Sequence, residues 1–312
     1  MYDYFAYGLV IRSVVPLPEL VPAAHPPGVE SGDVVLRLGP VPSRPTQLDA
    51  TGVGFRADRD EACHVHDKVG AFLVRGGREI VVEPAPGVED RVLRLSILGP
   101  ALGLVLHQRG LLVLHASVVG RDGAALAVIG SNGWGKSTIA AALHARGYAL
   151  VSDDLAAIRL DADGPTVLAG HPQVKLWPEA ATLLGQAPDA LPLLHPAFDK
   201  RGWRPVEGFS TEPRRLAALF VVAPGAEPAV EAIAPREACL ELLTHWYGQR
   251  FGGGLLRPGD AAGHLRQCAA LAGSVPMHCL RRSGGSATLL HLAGLVDEHF
   301  GRLATAESSD VR

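Results

Sequence analysis

The 312-residue chain is short of cysteine, lysine and long apolar runs, and each shortage excludes something. Only Cys63, Cys239, Cys268 and Cys279 are present, with no Cys-x-x-Cys pair among them. That excludes a disulfide scaffold and a thiolate zinc site, and it predicts free thiols in a reducing compartment. The most apolar stretch, Leu95 to His107, is shorter than the ~18–20 residues of a spanning helix and contains Pro100. The N-terminus has no basic segment followed by an apolar core, so a cytoplasmic location without membrane attachment is expected. Nor is there a basic excess: 29 Lys and Arg stand against 32 Asp and Glu, for a net charge of −3, which argues against a nucleic-acid partner. At 47% hydrophobic and 20% charged residues, the composition is that of a folded soluble protein rather than a disordered or collagen-like chain. Lysine is the most telling scarcity. Of the 29 basic residues only Lys68, Lys136, Lys175 and Lys200 are lysines. A compact ammonium does what a guanidinium fork cannot, so each of them is a candidate for a specific task.

What is present has a clear order. Residues 1–85 read as a β-rich module, with strands at Val34–Leu38, Ala71–Arg75 and Glu79–Glu83 bounded by Gly, Pro or Asp. Residues 88–108 read as a helix kinked near Gly99-Pro100. A strand over 111–119, a turn at 120–123 and a fully apolar strand over 124–129 lead into a glycine-rich loop. A helix over 136–145 follows, then a strand over 148–152 that runs into Asp153-Asp154. Further strands are expected at 156–160, 166–169, 215–222 and 275–280, and helices at 178–184, 236–247, 261–272 and 286–300. Residues 186–213 read as irregular, 249–260 as a mobile glycine-rich loop, and 304–312 as a disordered tail after a main domain of 86–303.

The loop Gly130-Ser131-Asn132-Gly133-Trp134-Gly135-Lys136-Ser137 fits G-x-x-x-x-G-K-[ST], with Thr138 next, between a predicted strand and a predicted helix. Glycines let backbone N–H groups wrap around phosphates, and a helix N-terminus adds its positive dipole end. Lys136 is expected to reach the outer phosphates, and the Ser137 hydroxyl to ligate Mg²⁺. A Leu-Ser-Gly-Gly-Gln-type signature, which transporter ATPases with a similar loop also carry, is missing. Asp153 and Asp154 follow Lys136 by 17 and 18 residues and are expected at the end of the neighbouring strand, beside the phosphates. There they would hold a metal or orient a hydroxyl; the plainer reading is a turn that caps the next segment. Lys175, Lys200 and Arg201 are candidate clamps on a phosphoryl group or an acidic substrate, or solvated charges. Trp134 would either cover a nucleotide or lie exposed. Along a strand, Cys63-His64-Val65-His66 points its two histidines to one face, too few ligands for a metal.

Leu114-His115-Ala-Ser-Val, the glycine loop, and Arg146-Gly147-Tyr-Ala-Leu-Val-Ser-Asp153-Asp154 together resemble the HPr serine kinase family. The likeness is nearer to the HPr-kinase-like proteins of peptide-modification clusters, including lasso-peptide precursor kinases. Tyr7-Gly8-Leu9, Ser13, Pro16-Leu17-Pro18-Glu19-Leu20 and Lys175-Leu176-Trp177-Pro178 are similar to that group as well. The resemblance is loose over most of the chain and specific over 114–178. It implies an α/β fold of the phosphoenolpyruvate-carboxykinase-like P-loop type with a mixed sheet, and an ATP- and Mg²⁺-dependent kinase acting on a serine of a peptide or small protein. It further implies His115 close to the transferred phosphate, Asp153 taking or orienting the acceptor hydroxyl, and Asp154 supporting it or helping Ser137 hold the metal. A homo-oligomer is implied too, since HPr kinases are hexamers. The family's downstream Glu-x-Arg-Gly-type segment is not found, and Gly170 to Trp177 occupies the comparable stretch. HPr is therefore expected to be a poor acceptor. A small-molecule kinase and a non-catalytic nucleotide-binding regulator remain open, and the second has no need of a carboxylate at Asp153.

Overall fold

The computed structural model describes residues 1–23, 33–58, 60–256, 258–285 and 288–310. Its N-terminal sheet contains Tyr2–Ala6 (β1), Leu9–Ser13 (β2), Val21–Pro22 (β3), Val34–Leu38 (β4), Val53–Ala57 (β5), Glu61–His66 (β6), Gly70–Arg75 (β7) and Glu79–Pro84 (β8). The order is β3-β1-β2-β4-β8-β7-β6-β5, parallel only where β4 meets β2 and β8. Strand β2 shows how one face is chosen: Leu9, Ile11 and Ser13 alternate inward while Val10 and Arg12 are half-buried.

The helix expected over 88–108 is three pieces: Asp90–Ser96 (α1), a π-helical turn over Ile97–Ala101, and Leu102–Gln108 (α2). Pro100 has no N–H to give, and a wider turn absorbs that loss without breaking the rod. Gly99 and Gly103 let Tyr247 come close. A Cβ on Gly103 would lie 2.6 Å from the Tyr247 ring, and one on Gly99 3.2 Å from its hydroxyl.

The second sheet is built from Leu112–Leu114 (β9), Ala116–Arg121 (β10), Ala124–Gly130 (β11), Ala149–Ser152 (β12), Ala156–Asp161 (β13) and Gly164–Leu168 (β14). A third sheet is formed by Val174–Leu176 (β15), Leu193–His195 (β16) and Phe198–Trp203 (β17), in the order β15-β17-β16. Arg214–Pro224 (β18), Ala229–Ile233 (β19) and Met277–Arg282 (β20) complete the second sheet. Its order is β12-β10-β11-β18-β14-β13-β9, with β20 between β18 and β19. It is mixed: β11 and β20 run parallel to β18, and the remaining pairs are antiparallel. Helices Lys136–His144 (α3), Pro178–Leu183 (α4), Pro235–Thr244 (α5), Pro258–Ser274 (α6) and Thr288–Asp310 (α7) complete the chain.

Alternation along β11 decides the layers. Ala125, Ala127 and Ile129 join the core shared with the N-terminal sheet, which includes Ile11, Phe72 and Leu104. Leu126 and Val128 face a second core with Leu143 of α3 and Val296 of α7. Residues 1–85 thus form their own sheet but share one hydrophobic core with α1, α2 and the second sheet.

Several local expectations are corrected. The single strand expected over 111–119 is broken at His115, because β9 pairs with β13 while β10 pairs with β11 and β12. At the break the His115 amide donates to the His245 carbonyl, 3.0 Å away. Within the irregular stretch 186–213 lies the β16–β17 hairpin, whose charged Asp199-Lys200-Arg201 hides any alternation. The stretch 249–260 is no free loop at its start. A 3-10 segment, Tyr247–Gly254, buries Phe251 against Phe55 with ring centroids 4.6 Å apart, and α6 begins at Pro258. Helix α7 runs to Asp310, past the tail boundary at 304; Ser286 and residues 311–312 lie outside the described residues. No helix among the described residues is long and apolar enough to cross a membrane.

Candidate active site

The glycine-rich loop connects β11 to α3. Gly130 (φ +145°) passes so close to β18 that a Cβ would lie 3.1 Å from the Val222 carbonyl oxygen. Gly135 caps α3 in the left-handed region (φ +90°), and a Cβ there would meet Leu289 of α7 at 2.5 Å. The loop is thus pinned between β18 and α7. Lys136 opens α3, and its Nζ donates to the carbonyls of Gly130 (2.8 Å) and Ser131 (3.1 Å). Burial pulls its pKa down to about 8, against the attraction of Asp153 and Asp154.

The two aspartates reach the loop by a route that corrects the expected one. Strand β12 is not next to β11, because β10 lies between them. Each neighbouring pair in β12-β10-β11 is antiparallel, so β12 runs the same way as β11 and ends at the same edge. There Asp153, only 2% exposed, accepts hydrogen bonds from the Ser117 hydroxyl (2.5 Å) and the Lys175 amide (2.9 Å), and it also bonds Ser137. Asp154 is held at φ +76°, a left-handed conformation that is uncommon outside glycine. Its carboxylate lies between Lys175 Nζ (2.9 Å) and His115 Nε2 (3.4 Å).

The environments drive the two carboxyls apart. Burial raises the pKa of Asp153, and neighbouring Asp154 adds to the rise. Burial would raise Asp154 as well, but Lys175, Arg250 and His115 outweigh it and hold the group well below the usual carboxylate range. Burial takes His115 down to about 3, so the imidazole is neutral near pH 7 and its approach to Asp154 is a polar contact rather than an ion pair.

These side chains line a cleft of about 190 Å³, into which Asn132, Gly133, Gly135, Lys136, Ser137 and Thr138 also face. Three of the four lysines, Lys136, Lys175 and Lys200, converge there. A second cavity of about 580 Å³ adjoins it and shares His115, Asp154, Lys175 and Lys200. Its outer walls come from the β6–β7 turn (Val69), the π-helical turn (Pro100), the hairpin (Leu194, Phe198) and Arg250.

Other candidates lie elsewhere. Arg201 lines neither cavity and pairs with Asp199 at 2.6 Å. Lys200, by contrast, lines both cavities and sits over the Trp177 ring at 5.5 Å. Trp134 packs against the core between α3 and α7 and does not line the cleft, and neither do Gly130 and Ser131. On β6, Cys63 and Val65 join a small cluster with Val41 and Leu73, while His64 packs against Phe72 and Phe251. No group of three or more His, Cys, Asp or Glu side chains suited to a metal occurs among the described residues.

Sequence reasoning missed Ser117, Arg250 and Arg282. Ser117 follows His115 by two residues, a spacing that puts both on one face of an extended chain, and that signal was available. Arg250 is delivered by the 3-10 segment, stacked 3.9 Å over Tyr247, and no local pattern announces it. Arg282, at the end of β20, approaches the Gly133 carbonyl at 3.5 Å.

No family model matches the chain, and no curated protein matches it. Among solved structures the chain is similar to the Hpr(Ser) kinase/phosphatase from Coxiella burnetii. The likeness has 13% identity and a TM-score of 0.35, over 64% of this chain and 96% of that one.

Proposed function

We propose that the protein is an ATP- and Mg²⁺-dependent kinase that phosphorylates a serine hydroxyl on a peptide or small protein. The observation that carries this reading is the meeting of two cavities at His115 and Asp154. One has the groups a triphosphate needs, and the other is large enough for an acceptor. The mixed second sheet and the β10–β11 hairpin entering the loop support a phosphoenolpyruvate-carboxykinase-like P-loop kinase fold.

The donor set fits both cofactors. Gly133, Gly135 and the start of α3 line the cleft, a helix N-terminus favours an anion, and Lys136 stands beside it as a point charge. Ser137 and Asp154 both line the cleft and offer the hydroxyl and carboxylate oxygens that Mg²⁺ takes. When bound, ATP supplies the phosphoryl group and the ion neutralises charge on its outer phosphates. Lys136, Lys175 and Lys200 hold the negative charge in place. Asp153 accepts or orients the proton of the serine hydroxyl, Asp154 supports the metal side, and His115 fills the mouth between the cavities.

One observation favours the reverse division of the carboxylates. Asp154 lines both cavities, whereas Asp153 lines the smaller one alone and touches Ser137. The two readings separate on Asp153→Asn and Asp154→Asn. The residue on the metal side is the one whose loss abolishes the Mg²⁺ dependence of nucleotide binding. Loss of the acceptor-side residue keeps that dependence and lowers turnover by ~10²-fold or more.

The acceptor is a serine near the end of a short peptide, because a flexible terminus can enter the larger cavity without unfolding a partner. The test is incubation with ATP, Mg²⁺ and either a serine-ended peptide or HPr, read by mass spectrometry for added phosphate. Labelling of the peptide and little of HPr is expected. Labelling of neither, with ATP still bound, overturns the reading in favour of a small-molecule kinase or a regulator.

A further inference from the structure

A third cavity, about 580 Å³, lies behind Lys175 and shares Leu95, Lys175 and Leu194 with the acceptor cavity. That volume is within the ~300–1,000 Å³ range of ligand sites. Its polar wall carries Arg91, Arg94, Arg204 and Lys175 against the single carboxylate of Glu19. Most of these cations are committed. Arg94 pairs with Glu19 Oε1 at 2.8 Å, Arg91 with Glu89 at 2.7 Å, and Lys175 with Asp154. Arg204 is different: it is exposed, donates to the Pro18 carbonyl, and has no carboxylate partner among the described residues.

Glu19 Oε2 and His171 Nδ1 have no hydrogen-bond partner, but both atoms are buried from solvent and so do not face the open cavity. His171 is 4% exposed, and burial lowers its pKa to about 4, so its ring is neutral and adds no positive charge to the wall. An occupant must therefore bring an anionic group for Arg204. An inorganic anion would meet Glu19 as a like charge. A peptide segment brings backbone N–H and C=O groups together with acidic side chains. Leu98, Leu191 and Pro192 add an apolar wall for an aliphatic residue.

Resting on the peptide-kinase reading, we propose that this cavity binds a segment of the acceptor peptide that carries acidic and aliphatic side chains, apart from the serine that is phosphorylated. The segment is held between Glu19, α1 and the β16–β17 hairpin.

The test is calorimetry on the full chain with Mg²⁺ and a non-hydrolysable ATP analogue. The probes are two acetylated, amidated octapeptides ending in serine, one alternating leucine with glutamate and one alternating leucine with lysine. The acidic peptide is expected to bind at least tenfold more tightly. Arg204→Glu should remove most of that preference and Arg91→Glu should weaken it, with the affinity for the ATP analogue unchanged in both. Equal binding of the two peptides overturns the proposal, as does a preference that survives Arg204→Glu. Displacement of the acidic peptide by inorganic phosphate of equal affinity also overturns it and makes the cavity a small-anion site. A preference that behaves as expected, while the same peptide is never phosphorylated when ATP replaces the analogue, upholds the cavity and sinks the kinase reading, so the two fail separately.

Discussion

Ser117→Ala removes a single oxygen from the buried centre of the site. The Ser117 hydroxyl donates to Asp153 Oδ1 at 2.5 Å with both residues inaccessible to solvent. A hydrogen bond to a charged group contributes about 1.5–3 kcal/mol. Asp153 keeps the Lys175 amide and Ser137, so the loss should stay within that range rather than unfold the chain. At roughly 2 °C per kcal/mol for a chain of this size, Tm should fall by about 3–6 °C. Freed on one side, the carboxylate can swing, and kcat should drop by about tenfold with nucleotide affinity nearly unchanged. The assay is a double-mutant cycle with Asp153→Asn, followed by chemical denaturation without nucleotide and by single-turnover phosphoryl transfer. If the two substitutions add to within ~0.5 kcal/mol in the double variant, the bond carries no energy and the reasoning fails.

Lys136→Ala should abolish binding of a Mg²⁺-ATP analogue in calorimetry, and wild-type affinity would remove the cleft as a nucleotide site. Gly135→Ala should destabilise by at least ~1–2 kcal/mol, the left-handed penalty alone, because its Cβ also meets Leu289. It should cost less in a Leu289→Ala background, and an equal cost in both would show that the contact is immaterial. His64, His171, His264 and His278 are each buried and lowered to about 4. Between pH 6.5 and 4 the unfolded chain binds more protons than the native one at these sites, so stability falls as pH falls through that window. Each contributes a slope of up to ~1.4 kcal/mol per pH unit, and urea midpoints at pH 7, 6 and 5 check it. A flat midpoint would show that these rings are not buried neutral.

Local chemistry was enough to mark the glycine loop, Lys136, Ser137 and the Asp153-Asp154 pair, because backbone reach, helix start and charge are properties of a few adjacent residues. Apolar alternation or unbroken apolar runs marked β4, β7, β8, β11 and β18 for the same reason, and the scarcity of lysine pointed to three side chains that meet in one cleft. Strand neighbours were another matter. That β10 separates β12 from β11, that the chain breaks at His115 to change partners, and that a charged hairpin roofs the second cavity all depend on pairings between distant segments. A short strand such as β16 carries too few residues to show a period, and its stability comes from β17 and α1 rather than from its own composition. Ser117 bonds Asp153 across 36 positions, the Arg250 charge acts on Asp154 across 96, and Glu19 and His171 line one cavity across 152. Such contacts cost chain entropy that only the assembled core repays, so they exist as consequences of the tertiary fold and leave no mark in the residues beside them.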